Sequence, residues 1–225
     1  MKNRSAASLL SFADSFTIVN GLLGLFSIFL AVSREMEWAS SFILLAVLAD
    51  GVDGVVARKL GSSIGKYMDE FSDMVSFCVA PLIIVYIFYS ASFEITGRSI
   101  AILFSCGLFL FGGMLHLIRY HIGDEKYFVG LTTPAAAMAV IAVASFSIQW
   151  WYMAVIMFAL SLLMMSSIPY PKIEGIISVP AVTVILLAVA FGNELYLLLF
   201  GGVALYIVLG PVYVSHKTKT FTVSD

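Results

Sequence analysis

Charge is scarce in this sequence. Asp, Glu, Lys and Arg together make up 12% of 225 residues while hydrophobic residues make up 61%, against about a quarter charged in an ordinary soluble domain. That balance argues against a set of soluble domains and for a single membrane-embedded one. Cysteine is nearly missing as well. The two present, Cys78 and Cys106, sit in apolar runs without metal-ligand spacing, which excludes a disulfide scaffold or a thiolate zinc site and leaves buried, inert thiols. A formal net charge of −2 supplies no basic excess, and no nucleic-acid partner is expected.

Hydrocarbon fills the space that charge leaves. Apolar runs of roughly 17 to 25 residues recur along the chain, the length an α-helix needs to cross about 30 Å of bilayer core. Candidate spans fall near 16–33, 38–58, 67–92, 98–118, 133–148, 150–167, 177–192 and 195–214. The expected fold is therefore all-α, a polytopic bundle of about eight spans. The first run, FTIVNGLLGLFSIFLAV, is long enough to span and lacks a small-residue cleavage pattern, so it is read as a retained helix instead of a signal peptide. Leu9, Leu10 and Phe12 before it suit a short interfacial helix. With a cytoplasmic N-terminus, only Arg34 and Arg98 of the 12 Lys and Arg fall outside. The positive-inside rule then places both termini in the cytoplasm.

One stretch departs from this pattern: DGVDGVVARKLGSSIGKYMDEFSD, residues 50 to 73. Asp50 and Asp53 are three apart and Asp69 and Asp73 four apart, so on helices each pair makes an acidic stripe on one face. Between them Gly61, Ser62, Ser63 and Gly65 suit a tight turn that sets the stripes opposite each other. Ionised and unpaired at a membrane edge, such carboxylates would each cost several kcal/mol. Repulsion between neighbours about 4 Å apart adds roughly 4 kcal/mol even at an effective dielectric of 20. Protons or metal ions could relieve this. An all-oxygen donor set with no His or Cys favours a hard ion, Mg²⁺, Mn²⁺ or Ca²⁺, and a site with room for two ions suits phosphoryl chemistry. Gly51 and Gly54 remove side chains from the acid-bearing helix, permitting close approach of a ligand or of another helix. Arg58 and Lys59 offer positive charge to phosphate oxygens or serve as cytoplasmic anchors.

Asp50, Asp53, Gly54, Ala57, Arg58, Gly65, Asp69 and Asp73, in that order, resemble the signature of the CDP-alcohol phosphotransferases, with a gap before Gly65 shorter than relatives commonly have. DMVSFCVAP (73–81), LIRY (117–120), FVGLTTPAAA (128–137) and LLMMSSIPYPK (162–172) are similar to the small integral-membrane phosphatidylserine synthases of bacterial and archaeal type. The resemblance covers about the first 175 residues. It divides the chain into a catalytic membrane domain, 1–175, with six helices, and a C-terminal helix pair and tail, 176–225.

The resemblance implies an enzyme of phospholipid biosynthesis in the cytoplasmic membrane. It would transfer a phosphatidyl or archaetidyl group from a CDP-linked lipid to the hydroxyl of L-serine, releasing CMP and using divalent metal, Mg²⁺ or Mn²⁺, with two ions expected. Asp50, Asp53, Asp69 and Asp73 would hold metal, with Asp69 and Asp73 catalytic and Asp73 the general base. Asn20, Gly54, Ala57, Arg58, Gly65 and Lys66 would meet the CDP moiety and its phosphates, although Asn20 equally suits an interhelical hydrogen bond. For the carboxylate of serine the candidates are Arg119, which can grip it bidentately or act as an anchor, and Lys126. His116 reads as a packed or interfacial residue. A homodimer is the family's usual arrangement. Alternatives are the same transfer to glycerol 3-phosphate or an inositol phosphate and, more remotely, a cation-coupled transporter with intramembrane acids.

Overall fold

A computed structural model describes residues 10–12, 14–60, 64–90, 96–122, 127–173, 175 and 178–222. The chain is all-α: α1 (Asp14–Val32), α2 (Met36–Leu60), α3 (Gly65–Asp73), α4 (Ala80–Tyr89), α5 (Gly97–Ile122), α6 (Thr133–Ser145), α7 (Trp150–Met165), α8 (Ser178–Phe191) and α9 (Tyr196–Thr222). A π-helical segment, Met74–Val79, joins α3 to α4 without a break. Each expected span thus corresponds to a helical segment. Leu10 and Phe12, where an interfacial helix was expected, precede α1 in non-helical backbone, and Leu9 lies outside the described residues.

Among the described residues, four segments are long and apolar enough to cross a membrane: Asp14–Val32, Tyr67–Tyr89, Gly97–Arg119 and Tyr196–His216. Helices α6, α7 and α8 are apolar but shorter; the 13 residues of α6 extend about 20 Å at 1.5 Å per residue. The distribution of side chains is that of an integral membrane protein. On α1 the buried face is Asp14, Thr17, Asn20, Gly24, Ser27 and Ala31, whereas Phe26, Phe29 and Val32 are 49%, 58% and 62% exposed. Small and polar residues face other helices and large apolar ones face outward. This is the packing expected where lipid, not water, surrounds the bundle.

The interior is built around α6. Ten of its residues are buried, most of them alanines, and they join two apolar clusters. One gathers Val85, Phe109, Val140, Met153 and Met157; the other gathers Ile43, Leu44, Phe77, Ile141 and Tyr196. Helix α1 packs along α2 and also against α3, the π segment and α4; α5 pairs with α7, α8 packs on α2, and α9 on α6. The α8–α9 turn begins at Gly192, whose φ of +62° is a left-handed conformation that glycine adopts without a Cβ penalty.

The π segment has an identifiable cause. Pro81 has no N–H for the carbonyl of Phe77 and its ring crowds that carbonyl, and the widened turn ends at Val79, immediately before the start of α4. Such bulges often accompany functional sites, and this one begins directly after Asp73. Its buried Ser76 donates through Oγ to the Asn20 carbonyl at 2.8 Å, tying it to α1. Farther along the chain, a two-residue antiparallel pairing sets Phe128 opposite Tyr170 and Val129 opposite Pro169. Gly130 donates to the Ile168 carbonyl at 2.8 Å and Leu131 to Leu163 at 3.0 Å. The α5–α6 and α7–α8 connections are thereby held together near the C-terminal end of α5.

Two glycines of similar local sequence do different work. A Cβ on Gly24 would lie 2.6 Å from the Ser76 Cα and 2.9 Å from its nitrogen, while one on Gly54 would meet no atom within 4 Å. Gly24→Val should therefore lower thermal stability in detergent by about 1–3 kcal/mol through overpacking. Gly54→Ala should leave it unchanged or raise it by up to about 1 kcal/mol through helix propensity. Thermal unfolding monitored by circular dichroism separates the two; a fully stable Gly24→Val would contradict the tight α1–π contact.

Candidate active site

The acidic stripes meet where the C-terminal part of α2 faces α3. Asp50, Asp69 and Asp73 each present a carboxylate oxygen within 4.8 Å of the others. Asp73 is 8% exposed and accepts a 2.9 Å hydrogen bond at Oδ1 from Nδ2 of buried Asn20. That bond fixes one oxygen of Asp73 and leaves the second without a bond to Asn20. Asp53, also buried, accepts a hydrogen bond from the Thr17 hydroxyl. It stands beside the triad and does not complete it, although it is close enough for its charge to act on Asp50, Asp69 and Asp73. Helix α1 therefore positions both acidic stripes, Thr17 holding Asp53 and Asn20 holding Asp73.

The donor set fits a hard divalent cation. Asp50, Asp69 and Asp73 would hold such an ion through carboxylate oxygens alone, the donor type that hard cations take. Oδ1 of Asp69 is buried with no hydrogen-bond partner, and so is Oδ1 of Asn20. Buried acceptors left in this way are costly unless something supplies a positive charge or a donor. A cation meets the need of Asp69, and a ligand N–H or O–H that of Asn20.

These carboxylates open on a cavity of about 1010 Å³, at the upper end of small-molecule sites. Asp50, Gly51, Gly54, Asp69 and Asp73 line one part; the remainder is mostly apolar and includes Met138 of α6, Ala181, Ile185 and Leu186 of α8, and Leu199, Gly202 and Val203 of α9. Beyond the local helix backbone, no atom of the described residues lies within 4 Å of a Cβ built on Gly51 or Gly54, so these glycines leave room on the cavity side and do not admit a described neighbouring helix. Gly65 is the first residue of α3. The side chains of Ala57, Arg58, Lys59, Lys66 and His121, and the whole of Lys126, lie outside the described residues.

Arg119 has a task that its sequence context did not reveal. Its Nη1 donates to the Ser166 carbonyl at 2.5 Å and to Val129 at 3.5 Å, and its Nη2 to Met165 at 2.9 Å. The last carbonyls of a helix have no partner within it, and this guanidinium supplies one at the end of α7. It stands outside the described residues that line the cavity. The sequence reading passed over Thr17 and Ser76, which hold the site from behind, and the cavity-lining Thr132 and Thr133; His116, read as a packed or interfacial residue, is buried and also lines the cavity, as does Lys172. Thr17 was recoverable, since it lies three residues before Asn20 on the same helical face; the others depend on how distant helices meet.

Comparison with known proteins agrees with this geometry. A family model described as CDP-alcohol phosphatidyltransferase matches residues 10–129. The chain is 37% identical over 185 residues to archaetidylserine synthase of Methanothermobacter thermautotrophicus, covering 78% of this chain and 76% of that protein. It is 32% identical over 170 residues to CDP-diacylglycerol–serine O-phosphatidyltransferase of Methanocaldococcus jannaschii, covering 75% and 77%. With the Mycobacterium leprae protein of the same name it shares 29% over 205 residues, covering 84% and 68%.

The Arg119 clamp generates a stability prediction. Hydrogen bonds from a charged donor are worth about 1.5–3 kcal/mol each, so Arg119→Ala should cost roughly 3 kcal/mol or more. Its unfolding temperature, measured without substrates, should fall by several degrees. An unchanged value would show that the three carbonyls do not depend on the guanidinium.

Proposed function

The chain belongs to the CDP-alcohol phosphatidyltransferase family, and we propose that it transfers a phosphatidyl or archaetidyl group from a CDP-linked lipid to the hydroxyl of L-serine, releasing CMP. It is thus a transferase of phospholipid biosynthesis, in keeping with the names of its relatives. The observation that carries the reading is the opening of the Asp50, Asp69 and Asp73 cluster onto one large, mainly apolar cavity. A lipid with a pyrophosphate headgroup has the same two-part character. Its acyl or isoprenoid tails suit the α6, α8 and α9 walls, and its phosphates suit a cation held by the acids.

Each residue then has a role that follows from its surroundings. Asp50, Asp69 and Asp73 hold divalent metal, with Asp53 beside them, and Mg²⁺ or Mn²⁺ is the ion proposed. When bound, the metal would neutralise pyrophosphate charge and make the lipid-side phosphorus more electrophilic. Asp73 is the general base: with Oδ1 engaged by Asn20, its second oxygen is oriented to take the proton as the serine oxygen forms its bond to phosphorus. The phosphorus–oxygen bond to CMP breaks in the same displacement. The orphaned Oδ1 of Asn20 suits a donor on the nucleotide. Gly51 and Gly54 leave space for the CDP moiety, with Ala57, Arg58, Gly65 and Lys66 assigned to it through the family signature. For the serine carboxylate, Arg119 retains only N–H groups not committed to carbonyls, and Lys126 is the other candidate.

Further assignments are proposals of the same kind. The acids share an end of the bundle with Arg119 and Lys172, which supports a cytoplasmic site by the positive-inside rule, with both termini on that side and the cell membrane as location. A homodimer is proposed from family membership alone. Although the last two helices were set apart by sequence, they contribute a wall of the cavity, which supports a part for residues 176–225 in holding the lipid.

Membranes containing the protein, given labelled serine, a CDP-lipid and Mg²⁺ or Mn²⁺, should yield a serine-headed lipid and CMP. EDTA should stop the reaction and excess divalent ion should restore it. Asp73→Asn should reduce turnover by about 10²-fold to 10⁴-fold, the range of general-base contributions, while CDP-lipid binding persists. Turnover equal to that of the unmodified protein would remove the base assignment, and transfer undiminished by EDTA would remove the metal.

A further inference from the structure

His116 lies on α5 and is 5% exposed, yet it lines the cavity. Its Nδ1 is buried and has no hydrogen-bond partner, while the ring bonds the backbone of Met164. With Nδ1 unpartnered, that bond falls to Nε2, which donates to the Met164 carbonyl. Met164 sits in the last turn of α7, where carbonyls lack helical partners; His116 takes one and Arg119, three residues on, takes the next ones. A neutral imidazole that donates through one nitrogen accepts through the other. Nδ1 is therefore a buried acceptor that lacks a donor among the described residues, on a side chain that lines the cavity.

Its height in the bundle is fixed by neighbours. A Cβ on Gly113 would press on Cys78 Sγ and lie 3.7 Å from Thr133 Cγ2, so α5 crosses the π segment at that level. Helix α5 leads toward the acid-bearing end while the α3–α4 segment leads away from it. Moving one turn along α5 to His116 therefore corresponds to moving back about one turn from Cys78, toward Asp73.

We propose that His116 is the residue that recognises the ammonium group of the acceptor, its Nδ1 accepting an N–H while the acceptor hydroxyl faces Asp73. This rests on the serine-transfer reading and deepens it. Of the acceptors considered, an amino acid brings three N–H donors. The phosphate of glycerol 3-phosphate brings only oxygen lone pairs to a bare imidazole nitrogen and its second hydroxyl a single neutral donor, so the contact favours the charged ammonium of serine.

The test is a kinetic comparison in the membrane assay. His116→Leu removes the acceptor atom, and His116→Asn retains an oxygen at the δ position. His116→Leu should raise the serine KM by roughly tenfold to a hundredfold, the effect of losing a hydrogen bond to a charged group, with kcat and the CDP-lipid KM within about twofold. His116→Asn should recover a substantial part of the serine KM. An unchanged serine KM in His116→Leu would overturn the assignment. So would losses extending equally to both substrates in both variants, which would make His116 a packing residue. If the unmodified protein transfers no phosphatidyl group to serine, the functional reading itself fails and the assignment falls with it; normal transfer with an unaffected His116→Leu refutes the assignment alone.

Discussion

Like charges brought together at the edge of hydrocarbon set the terms for the rest of this structure. Asp50, Asp69 and Asp73 present oxygens within 4.8 Å of one another, and at such spacing their repulsion amounts to several kcal/mol unless a cation intervenes. A fold can hold such a cluster only if neighbouring groups fix the carboxylates in place. Here α1 does so, through Thr17 on Asp53 and Asn20 on Asp73. The glycine and serine face of α1 brings its backbone close enough for those short side chains to reach.

The same economy governs the far side of the cavity. The end of α7 leaves carbonyls unpaired, and α5 answers them with two side chains one turn apart, His116 and Arg119. Arg119 spends donors on backbone, which makes it part of the scaffold whatever it also does for the acceptor. His116 spends one nitrogen and leaves the other without a donor among the described residues. The proposed acceptor site therefore draws on an end of α5 that also holds the end of α7. Helices α8 and α9 close the apolar part of the chamber, giving a lipid somewhere to lie while its headgroup meets the acids.

Much of this was legible in the chain itself. Apolar runs of spanning length separated by polar punctuation dictate helices in lipid, because every backbone N–H and C=O there needs an internal partner. The spacing of the aspartates dictates faces, and their lack of His or Cys companions makes a donor set that suits a hard ion over a soft one. These are local properties, carried by residues within a turn or two of each other. What only the tertiary structure decided is long-range: that Asp53 turns to Thr17 while Asp50 joins Asp69 and Asp73, that Arg119 caps a helix begun about thirty residues later, that His116 lines the chamber with one buried nitrogen lacking a donor among the described residues, and that the last two helices form part of its wall. No periodicity encodes these facts, since each depends on which faces of separate helices come into contact, and that is settled by packing small residues such as Gly24 and Gly113 against partners far away in sequence.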